Sequence, residues 1–226
     1  MEKNYNQSHR ILEVIGILVF LILELALFIK LFQSSLLFEN IVLTILFSFI
    51  TVILSYLSAD FISGYVHFLG DNFLSENSPI LGEAFIRPFR EHHTDPKAIT
   101  RHDFIETNGN NCLVSIPPML GLYFLFPIES KLSCFTILFL TLLFLFIFIT
   151  NQIHKWAHES NPSKLISFLQ NHHLILNPIH HKIHHTKPYN KYYCITTGWL
   201  NPILYKIRFF EWNRIVLGKF LPLSKD

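Results

Sequence analysis

The sequence predicts an all-α, polytopic membrane protein with four transmembrane helices and a cytoplasmic histidine-rich cap. Three observations carry this. Half of the 226 residues are hydrophobic and only 15% are charged, with a mean hydropathy of +0.36. The apolar residues are gathered into blocks close to the roughly 20 that an α-helix needs to cross a bilayer. Twelve of the 13 histidines, from His67 onward, stand at or beyond the ends of those blocks.

The first block, 11–32, reads ILEVIGILVFLILELALFIKLF and carries Glu13 near one end and Glu24 inside. It is too long for a signal peptide and no small-residue cleavage site follows, so it is expected to stay as a helix. The second, 40–59, continues into DFISGYVHFLGDNF, a helix expected to emerge from the hydrocarbon. The third, 112–128, is interrupted by Pro117 and Pro118, which kink or delay it. The fourth, 132–150, is the clearest and runs directly into NQIHKWAHE. Between and after the spans lie the histidine-rich segments 60–111 and 151–226, and the whole chain, 1–226, reads as one membrane domain. Cys112, Cys134 and Cys194 are odd in number and form no CxxC pair, so they are expected to pack rather than to bridge.

Charge sets the orientation. Of the 18 Lys and Arg, 16 lie in the amino-terminal tail, the loop from 73 to 111 or the segment after the fourth span; only Lys30 and Lys131 face the other way. The positive-inside rule then puts both termini, the long loop and the histidines on the cytoplasmic side. A transporter would carry ionisable groups along its helices near mid-bilayer; here they form a layer at one interface.

Within that layer, His154 and His158 in HKWAH share a helix face at a spacing of four. His67 and Asp71 repeat this spacing past the second span, His92 and His93 are adjacent in FREHHTDPKAITRHDF, and HHKIHH places His181, His184 and His185 as HxxHH. One catalytic zinc uses about three protein ligands and a structural zinc about four, so eight to ten imidazoles in dispersed segments point to two metals. A storage tract would be low in complexity. Imidazole suits Fe, Zn, Cu and Ni alike. The lipid setting favours iron, because the hard reaction on an unactivated chain is oxidation at C–H; zinc hydrolysis of a lipid ester is the alternative and needs fewer ligands. No GxGxxG or GxxxxGK[ST] run is present, so electrons are expected from a separate carrier. The basic surface suits an acidic carrier or the anionic leaflet.

FREHHTDPKAITRHDFIETNGNN, preceded by ADFISGYVHFLGDNF and followed by HKWAH, HHKIHH and CITTGWLN, closely resembles the plasmanylethanolamine desaturase (Kua-type) family of membrane lipid desaturases, which also includes the plant phosphatidylglycerol trans-3 desaturase. The blocks occur in the same order over residues 59 to 201. The resemblance implies a non-haem di-iron oxidoreductase that uses O2 and two electrons to turn the 1-O-alkyl chain of an ether phospholipid into the vinyl ether of a plasmalogen. It implies His67, His92, His93, His154, His158, His181, His184 and His185 as iron ligands, with His102, His173 and His180 in second rank, and Asp71 as a carboxylate that orients a ligand histidine. The implied partners are the phospholipid and an electron donor such as cytochrome b5 or a ferredoxin-like protein, with no nucleic acid. The implied location is the cytoplasmic face of the bacterial cytoplasmic membrane or of the endoplasmic reticulum. Two departures stand out: His172 replaces an aromatic residue of animal relatives, and Asn110 replaces an Asp in the NGN stretch. Desaturation of an acyl chain near the headgroup, hydroxylation on a similar scaffold and a non-enzymatic metal-binding membrane protein stay open.

Overall fold

The structure is a computed structural model, and it describes residues 7–37, 39–73, 75–76 and 87–223. Its described elements are helical: α1 (Gln7–Phe32), α2 (Ile41–Asn72), α3 (Arg87–Thr94), α4 (Ala98–Arg101), α5 (Phe104–Leu125), α6 (Lys131–His158), α7 (Lys164–Asn171), α8 (Pro178–Lys182), α9 (Asn201–Lys206) and α10 (Phe209–Leu217), with a 3-10 turn at Ser35–Leu37. The only bridge between extended residues among them joins Phe73 to Leu223.

Three of these helices, α1, α2 and α6, are long and apolar enough to cross a membrane. This corrects the expectation of four. The stretch 112–128 does lie largely in a helix, α5, but that helix starts at Phe104, and its first two turns read FIETNGNN. Its polar start, together with Pro117 and Pro118 within it, leaves α5 outside the set of apolar helices. Conversely, α2 continues past 59 to Asn72 and α6 past 150 to His158, both unbroken.

The chain divides into two compact units. One comprises 1–59 and 102–152, the other 60–101 and 153–226. In the first, α1 and α5 run parallel and are tied at both ends. Arg10 donates two hydrogen bonds of 2.6 Å to the carboxylate of Asp103, which itself caps α5 by accepting from the backbone N–H groups of Ile105 and Glu106. At the far end the Lys30 ammonium donates to the carbonyls of Tyr123 and Phe126, which the last turn of α5 leaves without helical partners. Between these ties the backbones approach closely. A Cβ on Gly16 would lie 2.6 Å from Leu113 Cδ2, and one on Gly109 would lie 2.5 Å from Glu13 Cβ, the small-residue contact typical of membrane helices. Phe20, Leu23, Leu27, Cys112, Met119 and Ile137 are buried around this pair.

The second unit is built around Phe68, Phe73, Tyr193, Cys194, Leu204 and Phe210. Phe68 is the hub, with ring centroids 5.6 Å from Phe73, 5.4 Å from Tyr193 and 5.1 Å from Phe210. Its short helices start on local signals. Ser163 caps α7 by accepting from Ile166 N–H; Asn177 caps α8 by accepting from Ile179 and His180 N–H, with Pro178 at the first helical position. α7 stops where His173 turns left-handed at φ 55°.

Asp103 joins two ties in one side chain, and its pKa is held down at about 2, first by the hydrogen bond from Arg10. A depressed carboxylate stabilises above its unfolded pKa of about 3.9, and that contribution is lost as pH falls through about 2. In detergent, Asp103→Ala is expected to cost about 1 kcal/mol from the cap alone. Asp103→Asn keeps the cap and loses the ion pair, so its thermal stability should fall between the two and lose the acid-side pH dependence of the parent. Equal melting of parent and Asp103→Ala would contradict this.

Candidate metal centre

α2 and α6 both end in donors one helical turn apart, His67 and Asp71 on one, His154 and His158 on the other. His92 and His93 occupy the last turn of α3. His181 lies in α8, and His184 and His185 in the turns that follow it. All nine residues belong to the second unit. Their donor atoms sort into two groups, His92, His154, His158, His181 and His185 in one and His67, Asp71, His93 and His184 in the other; within each, the atoms lie within 4.8 Å of one another. The groups are neighbours, with ring centroids 5.7 Å apart for His67 and His154, 5.4 Å for His93 and His185, and 5.3 Å for His184 and His185.

The spacing inside the groups is that of ligands rather than of a hydrogen-bond network. In the five-histidine group, His181 Nε2 lies 2.9 Å from the Nε2 atoms of His154 and His158 and 3.0 Å from that of His185. An imidazole nitrogen has one hydrogen or one lone pair, so hydrogen bonding can satisfy at most one of these three contacts. Nitrogens that bind one cation at about 2.1 Å and at right angles stand about 3.0 Å apart. In the other group, Asp71 Oδ2 lies 2.9 Å from His93 Nε2, 3.5 Å from His184 Nε2 and 3.6 Å from His67 Nε2. Both carboxylate oxygens and those three nitrogens are buried without a hydrogen-bond partner, where each unpaired group costs about 1–3 kcal/mol. The donors therefore fit a cation in each group. Asp71, expected to orient a ligand, offers an oxygen of its own.

Backbone carbonyls aim two of the rings. His67 Nδ1 is 3.2 Å from the carbonyl of Tyr193, and His184 Nδ1 is 2.9 Å from that of Lys191. A carbonyl only accepts, so Nδ1–H donates and the Nε2 lone pair faces the group. Burial, then repulsion from neighbouring rings, presses His92, His181 and His184 well below the ordinary histidine range, and His185 down to about 3. The rings are thus neutral at physiological pH, the form that offers a lone pair.

Sequence reasoning missed what holds those carbonyls. Asp60 is fully buried. Its Oδ1 accepts from the N–H groups of Thr196, Thr197 and Gly198 at 3.1, 2.7 and 2.9 Å, and its Oδ2 from Leu200 N–H at 3.3 Å. Asn201 adds a second clasp, accepting from Cys194 N–H and donating to Cys194 carbonyl, both at 2.9 Å. The strap 191–201 is thus pinned to α2, and Gly64 lets it lie close, since a Cβ there would meet Cys194 Sγ at 2.5 Å. The acidic residue just past the second predicted span was the one available signal.

The eight first-rank histidines all fall in the two groups, and none of the second-rank three does. His102 lies 3.8 Å from Glu106, in the first unit. His173 is exposed, and its carbonyl accepts from Trp199 Nε1. His180 is turned towards Asn201 Nδ2 and the ring of Tyr192, because neighbours in a helix project in different directions. His172 is exposed, with its ring beside the Phe168 carbonyl.

Fold and site define an integral membrane protein of α-helices with a two-part, histidine-rich centre able to hold metal. Residues 56–220 match the lipid desaturase domain, and the chain belongs to that family. It is 47% identical over 210 residues to the plasmanylethanolamine desaturase of Myxococcus xanthus, covering 93% of this chain and 72% of the relative. It is 48% identical over 177 residues to plasmanylethanolamine desaturase 1 of Mus musculus, covering 73% and 62%. Chloroplastic fatty acid desaturase 4 of Arabidopsis thaliana is 33% identical over 162 residues, covering 69% and 47%. No solved structure matches the chain.

Asp60→Ala removes the acceptor for four backbone amides at once. The expected outcome is faster hydrogen exchange across 194–200 with little change in α1 and α5, read by mass spectrometry on the whole protein. Unchanged exchange in the strap would show that Asn201 and packing suffice.

Proposed function

We propose that the chain is an O2-dependent desaturase that converts the 1-O-alkyl chain of an ether phospholipid, plasmanylethanolamine, into the vinyl ether of a plasmalogen. The observation that carries this reading is the pair of adjacent donor groups, nine residues whose donor atoms lie within 4.8 Å of one another in each group, in a chain 47% identical to a plasmanylethanolamine desaturase. His92, His154, His158, His181 and His185 would hold one non-haem iron, and His67, His93, His184 and Asp71 the other. Bound iron would supply O2-dependent removal of two hydrogens from adjacent carbons, with two electrons delivered by an external carrier such as cytochrome b5 or a ferredoxin-like protein.

The protein's own part is arrangement and exclusion. His67 and His184 are fully buried, His181 is 2% exposed and His92 and His154 are each 5% exposed, so the site is kept dry. The Tyr193 and Lys191 carbonyls keep the two rings in the tautomer that presents Nε2, and the Asp71 carboxylate brings negative charge to the more lightly ligated group. Holding the reacting carbons against such a preset arrangement is where the rate advantage arises. The bond to be oxidised in an ether lipid lies beside the glycerol, near headgroup depth, and four of the nine donors, His67, Asp71, His154 and His158, sit at the ends of membrane-length helices. The distribution of Lys and Arg supports the cytoplasmic side for this centre.

The test is expression with an electron donor and a 1-O-alkyl phospholipid. The expected product is acid-labile and lighter by one hydrogen molecule. Hydrogen loss from an acyl lipid instead would move the assignment to the plant-type substrate, and a product heavier by one oxygen would make the protein a hydroxylase. His184→Ala is expected to lower turnover by roughly 100-fold or more and to reduce bound iron. Zinc in place of iron in the purified active protein would overturn the oxidative reading.

A further inference from the structure

α10 is apolar on two faces. One packs into the second unit: Phe210 lies 5.1 Å from Phe68 and 4.8 Å from Tyr193, and Phe209 lies 5.5 Å from Phe61. The other, Trp212, Ile215 and Val216, is one helix stripe at the i, i+3, i+4 spacing, and each of these residues is more than half exposed. On α9 and the turn after it, Ile203 and Ile207 repeat the pattern at 58% and 57% exposure. An apolar stripe on the outside of a helix whose other apolar face is already packed marks a surface for another molecule or for lipid, and no described residue covers this stripe.

Two observations select lipid. α10 packs against α2 at Phe61 and Tyr65, in the turns that follow the exposed apolar run Ile41–Leu54 of that membrane-length helix. Residues 201–220 carry four basic side chains, Lys206, Arg208, Arg214 and Lys219, against the single acidic Glu211, which pairs with Arg208. Apolar stripe, tryptophan and basic flank together are the signature of a helix lying in a membrane surface.

We propose that α9 and α10 lie in the headgroup layer of an anionic bilayer, with Ile203, Ile207, Trp212, Ile215 and Val216 among the lipid chains and Lys206, Arg214 and Lys219 at the phosphates. The partner is the bilayer itself, and the contact does not depend on turnover or on which lipid is oxidised.

The native cysteines are all buried, so a thiol-reactive fluorophore can be directed to Trp212→Cys in the full chain. The protein is reconstituted in vesicles of phosphatidylglycerol and phosphatidylcholine, with one or the other brominated near the headgroup end of its chains. The label should emit further to the blue than one at the exposed Lys187→Cys, and brominated phosphatidylglycerol should quench it more than brominated phosphatidylcholine does. Emission and quenching like those at Lys187→Cys overturn the proposal. So does a blue-shifted label without lipid quenching, accompanied by disulfide cross-linking of two copies through position 212, which assigns the face to a second copy. Equal quenching by the two lipids overturns the choice of anionic lipid. Ile203→Cys gives the same readouts from α9 where Trp212→Cys does not fold.

Discussion

A ring nitrogen can make one directional contact, and this limit governs the second unit. His181 Nε2 has three other histidine nitrogens within 3.0 Å, and Asp71 Oδ2 has three within 3.6 Å. No assignment of protons satisfies the first set, and in the second the neutral rings of His67 and His184, whose Nδ1–H groups face carbonyls, turn Nε2 lone pairs towards a carboxylate oxygen. Neutral donors aimed at a common point fit a cation, and the rest of the unit keeps them neutral, dry and aimed. Burial supplies the first two, since it disfavours imidazolium.

Aiming draws on elements far apart in the chain. Two rigid helices each carry donors a turn apart, which sets their mutual distance without any tertiary contact. α3 and α8 add adjacent or turn-spaced donors. The strap 191–201 then orients two of the rings through main-chain carbonyls. Asp60 and the bare surface of Gly64 hold that strap on α2 and Asn201 closes it on itself, so a carboxylate that touches no donor still bears on where donors point.

Three membrane-length helices and the gathering of eight histidines were legible because both leave a mark in residue type, apolar length in one case and imidazole at helical spacing in the other. Their division into two groups was not. His92 and His93 are neighbours in the sequence and belong to different groups, and so do His184 and His185, because successive residues project in different directions. The carbonyls of Lys191 and Tyr193 were invisible for a simpler reason: every residue has one. α5 was misjudged at its start, where Asp103 supplies a cap and the helix begins in a polar stretch that hydropathy passes over. Asp71, read as a carboxylate that orients a ligand histidine, lies within 3.6 Å of three histidine nitrogens, a reach that spacing alone does not give.

The clasp at Asp60 joins residues 136 to 140 positions apart, which sets an order of events during synthesis. His67, Asp71 and His93 leave the ribosome long before the strap that aims His67 exists. Until the chain has been made to about Asn201, the centre has donors and no directing frame. A metal taken up before then would meet loosely held side chains, and the choice of ion would follow intrinsic affinity and availability rather than the geometry of the finished centre.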